Sequence, residues 1–374
     1  MCVDLPTRPE IDTGDGVVDA SNSPDPLGRP LPPAPASFRV QVDNLRVQIG
    51  TFAPLQRRKI SIWTRFSADF DATTTPTLAA GGRIGTVRHA STPAETSAYG
   101  RSMPTKTETI IDRRNLQSWA DPRTISELRS LTTYTDPGEQ VCLNRLTPGA
   151  LGVPILDLGV GTGRTIAMLL ALSPDYVGID YTAAMVDACR AAHPSTEVRL
   201  GDARDLQAFP ADHFGLVVFS FNGIDAVAHG DRSAIFAEVR RVLRPGGVFW
   251  FSTHNLSGPG PKERPWRLPR AIVRHPRWAA RTAVRMPRRL VNYRRNSALR
   301  DQGDGWEFRV AGAHDFGIVI HYTSLAAGLA EVQAAGFAPD PEAYDSVTGA
   351  RVHVGDDTTS AWWFHVVARK PEVA

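Results

Sequence analysis

The chain is expected to fold as a doubly wound α/β domain, and three observations lead there. Short apolar runs alternate with stretches of helical periodicity from residue 150 to 255, the pattern of a parallel sheet whose crossover helices cover both faces. A glycine-rich turn, Gly159 to Gly163, ends the first of these runs and opens the first of these helices. Acidic residues then end the next two runs, at Asp180 and Asp202.

Taken in order, residues 1 to 37 carry eight prolines among Ser, Asp and Gly, too little apolar surface to offset their ordering entropy, so a tail is expected. Phe38 to Ile49 and Ile60 to Phe66 alternate apolar and polar residues with the period of a strand. A hairpin there would be isolated, because residues 71 to 109 return to Thr, Ala, Ser and Gly. Residues 1–110 are therefore read as a low-complexity, partly disordered extension with a candidate β-hairpin, and residues 111–374 as the functional domain, with a domain start near Met103 as the alternative. Leu116, Trp119, Ile125, Leu128 and Leu131 recur at helical spacing, followed by Val141, Leu143 and Leu146 up to a break at Pro148-Gly149. Strands are expected at Ile155 to Leu158, Tyr176 to Ile179, Val198 to Leu200, Leu216 to Ser220 and Val248 to Ser252. Helices at Thr162 to Leu172, Ala183 to Ala192 and Arg232 to Leu243 lie between them. Further on, Thr323 to Phe337 reads as a helix and Trp362 to Arg369 as a last strand.

Composition narrows the function. The 374 residues include 42 Lys+Arg against 39 Asp+Glu, a formal charge of +3, which argues against a nucleic-acid partner bound through a generally basic surface. Hydrophobic residues at 42% and charged ones at 22% exclude a wholly disordered or membrane-spanning chain. Cys2, Cys142 and Cys189 have neither metal-ligand nor paired spacing, so free thiols in a reducing compartment and no metal centre are expected. The first residues lack the basic start and apolar stretch of a signal peptide, and no run of 18 apolar residues occurs. The expected location is cytoplasmic.

The turn reads Asp157-Leu158-Gly159-Val160-Gly161-Thr162-Gly163. Glycines let the backbone turn tightly and approach a ligand, and the helix behind offers free N–H groups. A dinucleotide fingerprint fails in either register, because Arg164 or Ile166 stands where glycine is required, and no Lys-Ser/Thr follows as in a phosphate-binding loop. Asp157, just before the glycines, would repel a pyrophosphate but suits a cation. That points to a ligand carrying both an ammonium and a nucleoside. Asp180 can accept both hydroxyls of a ribose, and Asp202 an exocyclic amine of a base, from the ends of neighbouring strands.

These residues resemble the class I S-adenosylmethionine-dependent methyltransferases. DLGVGTG is similar to the family's first motif, GID to its second-strand acid, GDARDL to its adenine-site segment and LRPGGVFWFSTHN to its helix-turn-fifth-strand segment, in order over about 100 residues. The resemblance implies a Rossmann-like, mainly parallel sheet with a C-terminal antiparallel hairpin, and S-adenosyl-L-methionine as cofactor. It places Asp157, Gly159, Gly161 and Gly163 around the methionine part and Asp180 on the ribose. Met185 lies against adenine, Asp202 and Ala203 close over the base, and Phe219 and Tyr134 are further cofactor contacts.

The acceptor is harder to read. Residues 219 to 225, FSFNGID, lack the Asn/Asp-Pro-Pro-Tyr/Phe arrangement of enzymes that methylate exocyclic base nitrogens, and no cysteine matches a cytosine-C5 nucleophile. Asn222 and Tyr322 are candidates for acceptor binding. A hydroxyl acceptor requires a base near the transferred methyl, and His254 and His321 are the candidates, ahead of His229. Residues 262 to 300 hold 13 Lys+Arg and a single acid, Glu263. That segment carries a charge of +12, and the rest of the chain −9. Arg267, Arg270, Arg274, Arg277, Arg281, Arg285 and Arg288 recur at spacings of three and four, forming one stripe on short helices divided by Pro269, Pro276 and Pro287. The chain uses 38 Arg and only 4 Lys, yet usage bias alone does not concentrate them so. A basic helical insertion at about 256–313 reads as a lid over the acceptor, or as a surface for an anionic ligand or a membrane, which would make the protein peripheral there. Methyl transfer to an O or N of a small molecule (a natural product, sugar or other metabolite) is expected. Transfer to RNA or to a membrane-associated lipid, and a non-catalytic cofactor-binding scaffold, are the alternatives.

Overall fold

The computed structural model describes residues 106–268 and 276–372. The expected N-terminal tail and hairpin, and Arg270 and Arg274 of the arginine stripe, lie outside the described residues.

Three helices lead in: α1 (Lys106–Trp119), α2 (Pro122–Arg129) and α3 (Pro137–Ala150). Proline at the start of α2 and α3 is pre-set for a first helical turn, and an aspartate caps each. Asp121 accepts from the Arg123 N–H at 2.8 Å and Asp136 from the Glu139 N–H at 2.9 Å. α3 runs through Pro148, where a break was expected. Only two residues follow the proline within the helix, so the missing donor costs one bond in a turn that is ending anyway.

The alternating unit follows as β1 (Ile155–Leu158), α4 (Ile166–Leu170), β2 (Tyr176–Asp180), α5 (Ala183–Ala192), β3 (Val198–Leu200), β4 (Phe214–Phe219), α6 (His229–Val242) and β5 (Leu243–Asn255). α4 is shorter than expected because the glycine turn occupies its first residues. After β5 come α7 (Pro276–Asn296), β6 (Gln302–Gly303), β7 (Trp306–Val310), β8 (Val319–Thr323), α8 (Leu325–Ala334), β9 (Glu342–Asp345), β10 (Arg351–Val352) and β11 (Trp363–Arg369). The sheet order is β10-β9-β11-β5-β4-β1-β2-β3. Strands β1 to β5 pair in parallel, and β11 is antiparallel between β5 and β9.

Strand alternation builds two cores, one on each face. Leu156, Val217, Phe249, Phe251 and Phe364 pack with Ile235, Phe236 and Val239 of α6 and Val332 of α8. Their neighbours Ile155, Leu216, Val218, Val248 and Trp250 pack with Leu146 of α3, Ile166 of α4 and Val186 of α5. The doubly wound expectation holds on both faces. Among the described residues no helix is long and apolar enough to cross a membrane.

β5 is 13 residues long and outreaches β4. Its last residues, His254 and Asn255, pair in parallel with Tyr322 and Thr323 of β8, and β8 pairs antiparallel with β7. A small antiparallel sheet therefore hangs from the overhang of β5. Sequence periodicity missed β6 and β7, which are short and half polar.

The basic insertion differs from its sequence reading. α7 is one helix through Pro287, not short helices divided there. Arginines on both sides of the proline are tied to the body of the protein: Arg285 binds Asp315 at 2.7 Å and Glu127 at 2.5 Å, and Arg288 binds Asp121 at 2.6 Å. Arg289 stacks over Phe316 at 5.0 Å. This part of the arginine stripe thus faces inward rather than toward a partner. Three consecutive residues, His314, Asp315 and Phe316, have φ of 49°, 58° and 61°, a left-handed run costing of order 1–3 kcal/mol per residue. The Arg285 and Arg288 contacts with Asp315 help to hold it. Glu263, the lone acid of residues 262–300, is half-buried and accepts from the Gly312 N–H at 3.0 Å.

Asp136 yields a stability prediction. Besides capping α3, its buried carboxylate accepts from Trp363 Nε1 at 3.0 Å and meets His365 Nε2 at 2.9 Å. Burial alone would raise its pKa, but the His365 contact and the other hydrogen bonds outweigh burial and hold it below the ordinary carboxylate value. A depressed acid contributes stability above its unfolded pKa, about 3.9, and loses it as pH falls through the folded value. Asp136→Ala is expected to destabilise by about 3 kcal/mol at neutral pH, with the deficit shrinking below about pH 4, as read by urea unfolding across pH.

Candidate active site

Strand order reverses between β1 and β4, and a cleft opens at the carboxyl ends of these strands, where open α/β sheets bind ligands. Gly159 and Gly161, with φ of 62° and 56°, form its floor. A Cβ on Gly159 would lie 2.7 Å from the Phe219 ring, whereas one on Gly161 would meet only the Gly159 carbonyl oxygen at 3.9 Å. The first glycine is needed for packing, and the second leaves room above the turn. Gly163 does not line the cleft; its Cβ would strike the His193 ring at 2.5 Å, so its role is close packing behind the turn.

The three expected acids all line the cleft but differ in their engagements. Asp157 Oδ2 accepts from the hydroxyls of Thr165 at 2.5 Å and Tyr176 at 2.8 Å, and burial pushes its pKa up to about 6. Asp180 accepts from the N–H groups of Gly161 at 3.0 Å and Thr182 at 2.8 Å, pinning the glycine turn to the end of β2; burial raises its pKa as well. Each oxygen can accept a further bond. Asp202 is gripped by Arg204, whose guanidinium lies 2.7 Å away and also reaches Asp112 at 3.0 Å and Asp231 at 2.7 Å. Met185 and Ala203 complete this wall.

A buried ion pair lies behind the turn. Arg164 meets both oxygens of Glu139 at 2.7 Å and bonds Ser220 Oγ and the Tyr134 carbonyl at 2.8 Å. Its guanidinium covers the Phe221 ring at 4.9 Å. Tyr134 itself does not line the cleft; its ring meets Phe221 edge-on at 6.1 Å. Phe221 and Asn222 have φ of 56° and 63°, strain held by the Asn222 N–H donating to Ser252 Oγ at 2.8 Å. Asn222 Oδ1 is buried on the cleft wall with no hydrogen-bond partner among the described residues. Sequence reading found Arg164 only as an excluding residue and missed Glu139, because their meeting depends on the packing of α3.

Of the candidate bases, His254 lines the cleft. Its Nδ1 lies 2.8 Å from Asp225 Oδ2, and its N–H donates to the same oxygen at 2.6 Å. Asp225 is fully buried and held in turn by Thr253 Oγ1 at 2.7 Å and Arg232 at 2.8 Å. This fixes the imidazole tautomer with the proton on Nδ1 and the lone pair on Nε2. His321 does not line the cleft: Ile320 of β8 and Ile318 just before the strand do, and His321 points to the opposite side, stacked on Trp306 with Nε2 at 3.0 Å from His229 Nδ1. Burial, then the Arg232 charge, lowers its pKa well below the usual value. Tyr322 is also off the cleft, packed beside His254 at 5.3 Å between ring centroids. Trp119, Leu128, Leu131, Ala311, Ile318 and Ile320 give the cleft an apolar wall, with His314 also lining the cleft, another residue that sequence reading passed over.

Residues 155–247 match the family model described as a methyltransferase domain. This segment carries a methyltransferase domain. Among relatives, a Mycolicibacterium smegmatis protein described as a probable S-adenosylmethionine-dependent methyltransferase is 33% identical over 116 residues, 31% of this chain and 44% of that protein. An uncharacterized methyltransferase of Mycobacterium bovis is 37% identical over 99 residues, 25% and 36% of the two chains. The chain thus spans less than half the length of these curated relatives. A crystal structure of an S-adenosylmethionine-dependent methyltransferase from Mesorhizobium loti superposes with a TM-score of 0.41 at 22% identity, covering 62% of this chain and 97% of that one. The matched methyltransferase segment contains the glycine turn, all three acids and α6, but ends before His254 and the small sheet.

Asp157 allows a test of the turn's electrostatics. An acid whose folded pKa is raised loses stability as pH rises from its unfolded value, about 3.9, through its folded value, because the unfolded state releases its proton first. With a folded value of about 6, the cost at neutral pH is about 3 kcal/mol. Both hydroxyls bond one oxygen, which the amide of Asp157→Asn reproduces. The variant is expected to unfold at higher denaturant than the parent above pH 6, and to match it near pH 4.

Proposed function

We propose that the protein transfers a methyl group from S-adenosyl-L-methionine to a hydroxyl or amine of a small molecule with an apolar body. One observation carries the reading: His254, its tautomer set by Asp225, lines the same cleft as the glycine turn. The residues present fit the cofactor, since the Gly161 position is open and each oxygen of Asp180 on the cleft wall, holding one backbone N–H, can accept a further bond. S-Adenosylmethionine supplies an electrophilic methyl group on a sulfonium.

Backbone of Gly159 and Gly161, with Asp157 behind them, receives the methionine part, and Asp180 accepts the ribose hydroxyls while keeping the turn in place. Met185 and Ala203 flank the adenine. Asp202 shares its carboxylate with Arg204, so base recognition at this wall depends on both. Phe219 lies under the turn, between Gly159 and Gly223, and sets its height.

On the acceptor side, the apolar wall holds the body of the substrate and Asn222 takes its polar end. His254 Nε2 would accept the acceptor's proton while the bound cofactor supplies the methyl group and leaves as the thioether, and Asp225 would stabilise the imidazolium. Residues 111–374 act as the transferase domain, with the insertion at about 256–313 as its cap.

Calorimetry with S-adenosylmethionine comes first: absence of binding overturns the reading, and binding without transfer to any acceptor pool leaves a scaffold. His254→Ala is expected to lower kcat by about 10²–10⁴-fold with cofactor affinity unchanged. Asp225→Asn should shift the pH profile of kcat in the same assay. Undiminished turnover in His254→Ala, with loss in His314→Ala instead, would make His314 the base.

A further inference from the structure

α7 has two unlike faces. Inward, it ties Arg285 and Arg288 to Asp315, Glu127 and Asp121. Outward, Val284 is 81% exposed, Val291 64% and Leu290 43%, with Ala280, Ala283 and Pro287 exposed beside them. Positions 280, 284, 287 and 291 are spaced by four, three and four, so they form one stripe along the helix. Just upstream, Trp266 is 61% exposed and Leu268 40%. Five of the eleven exposed large apolar side chains among the described residues fall in this one segment, a concentration that marks an interaction surface.

The charges that α7 itself carries around the stripe are of one sign. Arg277 stands exposed at its start, and Arg294 and Arg295 at its end. Near Arg295 lies Arg114 of α1, next in the chain to the exposed Arg113; burial, then Arg295 and Arg113, hold the Arg114 pKa below its ordinary value, with no acid among the contributing groups.

We propose that the outer face of α7 docks on an anionic membrane surface, with Val284, Leu290 and Val291 entering the headgroup boundary and Arg113, Arg294 and Arg295 meeting lipid phosphates. An apolar stripe ended by cations is the pattern of an interfacial helix. A second copy of this chain fits the same face poorly. In a two-fold contact both ends of α7 bring arginines, so like charges meet whichever way the helices cross. The packing of α7 on residues 313–316, which include the cleft residues Ala313 and His314, would place docking next to the apolar acceptor wall.

The test uses the full chain with vesicles of mixed phosphatidylserine and phosphatidylcholine, and with phosphatidylcholine alone, read by co-sedimentation. Binding is expected to the anionic vesicles, to fall as salt rises, and to be at least about tenfold weaker to neutral ones. The double variant Val284→Asp/Val291→Asp should lose binding while keeping the parent's thermal midpoint and cofactor affinity. Arg294→Ser/Arg295→Ser should weaken it by about tenfold. No binding to anionic vesicles, or undiminished binding by the valine variant, overturns the proposal. So does self-association in solution that the valine variant abolishes, because a second copy then occupies the face. None of these readings depends on methyl transfer, so failure here is distinct from failure of the functional reading.

Discussion

The Arg164 to Glu139 pair holds together parts of the chain that would otherwise meet only loosely. Both side chains are almost fully removed from water, at 9% and 1% exposure, so each would be costly without the other. Glu139 sits in the first turn of α3, where the helix dipole favours a negative charge. Arg164 follows the glycine turn, and its remaining donors reach Ser220 at the end of β4 and the backbone at Tyr134. One guanidinium therefore sets the distance between the turn, the lead-in helices and the strand carrying Phe221 and Asn222. The positive φ values of those two residues are sustained by this frame.

A second buried pair does related work farther along. Arg232 is 1% exposed and bridges Asp225 to Glu331 of α8. Asp225 in turn fixes His254. The orientation of the candidate base thus depends on a helix whose own residues never touch the cleft, and its polar groups are satisfied without water.

Much of the nucleoside half was legible in the sequence because it depends on local rules. A strand that must end in a tight turn needs glycine at positive φ, and acids at successive strand ends fall into one crevice once the sheet is parallel. Asp157, Gly159 and Asp180 could be brought to one cleft from the pattern for that reason, whereas Met185 came only with the family resemblance. The acceptor half could not. His254 and His321 looked equivalent in sequence, yet strand pairing put one on the cleft wall and turned the other into a ring stack with His229 and Trp306. The arginine spacing was regular, but which arginines faced inward was decided by Asp121, Glu127 and Asp315, distant acids that no periodicity in 262–300 reveals. Glu139 was invisible as a partner because its interaction spans 25 residues.

The overhang of β5 has a consequence for how such a chain diversifies. Along its first part the strand is fastened on both sides, by β4 and β11; past the end of β4 its strand partner on that side, among the described residues, is β8 through a two-residue pairing. The antiparallel unit is thus grafted onto the sheet through a narrow seam, downstream of the turn and acids that form the nucleoside half. Exchange or remodelling of residues 256–323 could retune which molecule is modified while leaving the nucleoside half undisturbed, so long as His254 keeps its hold on Asp225.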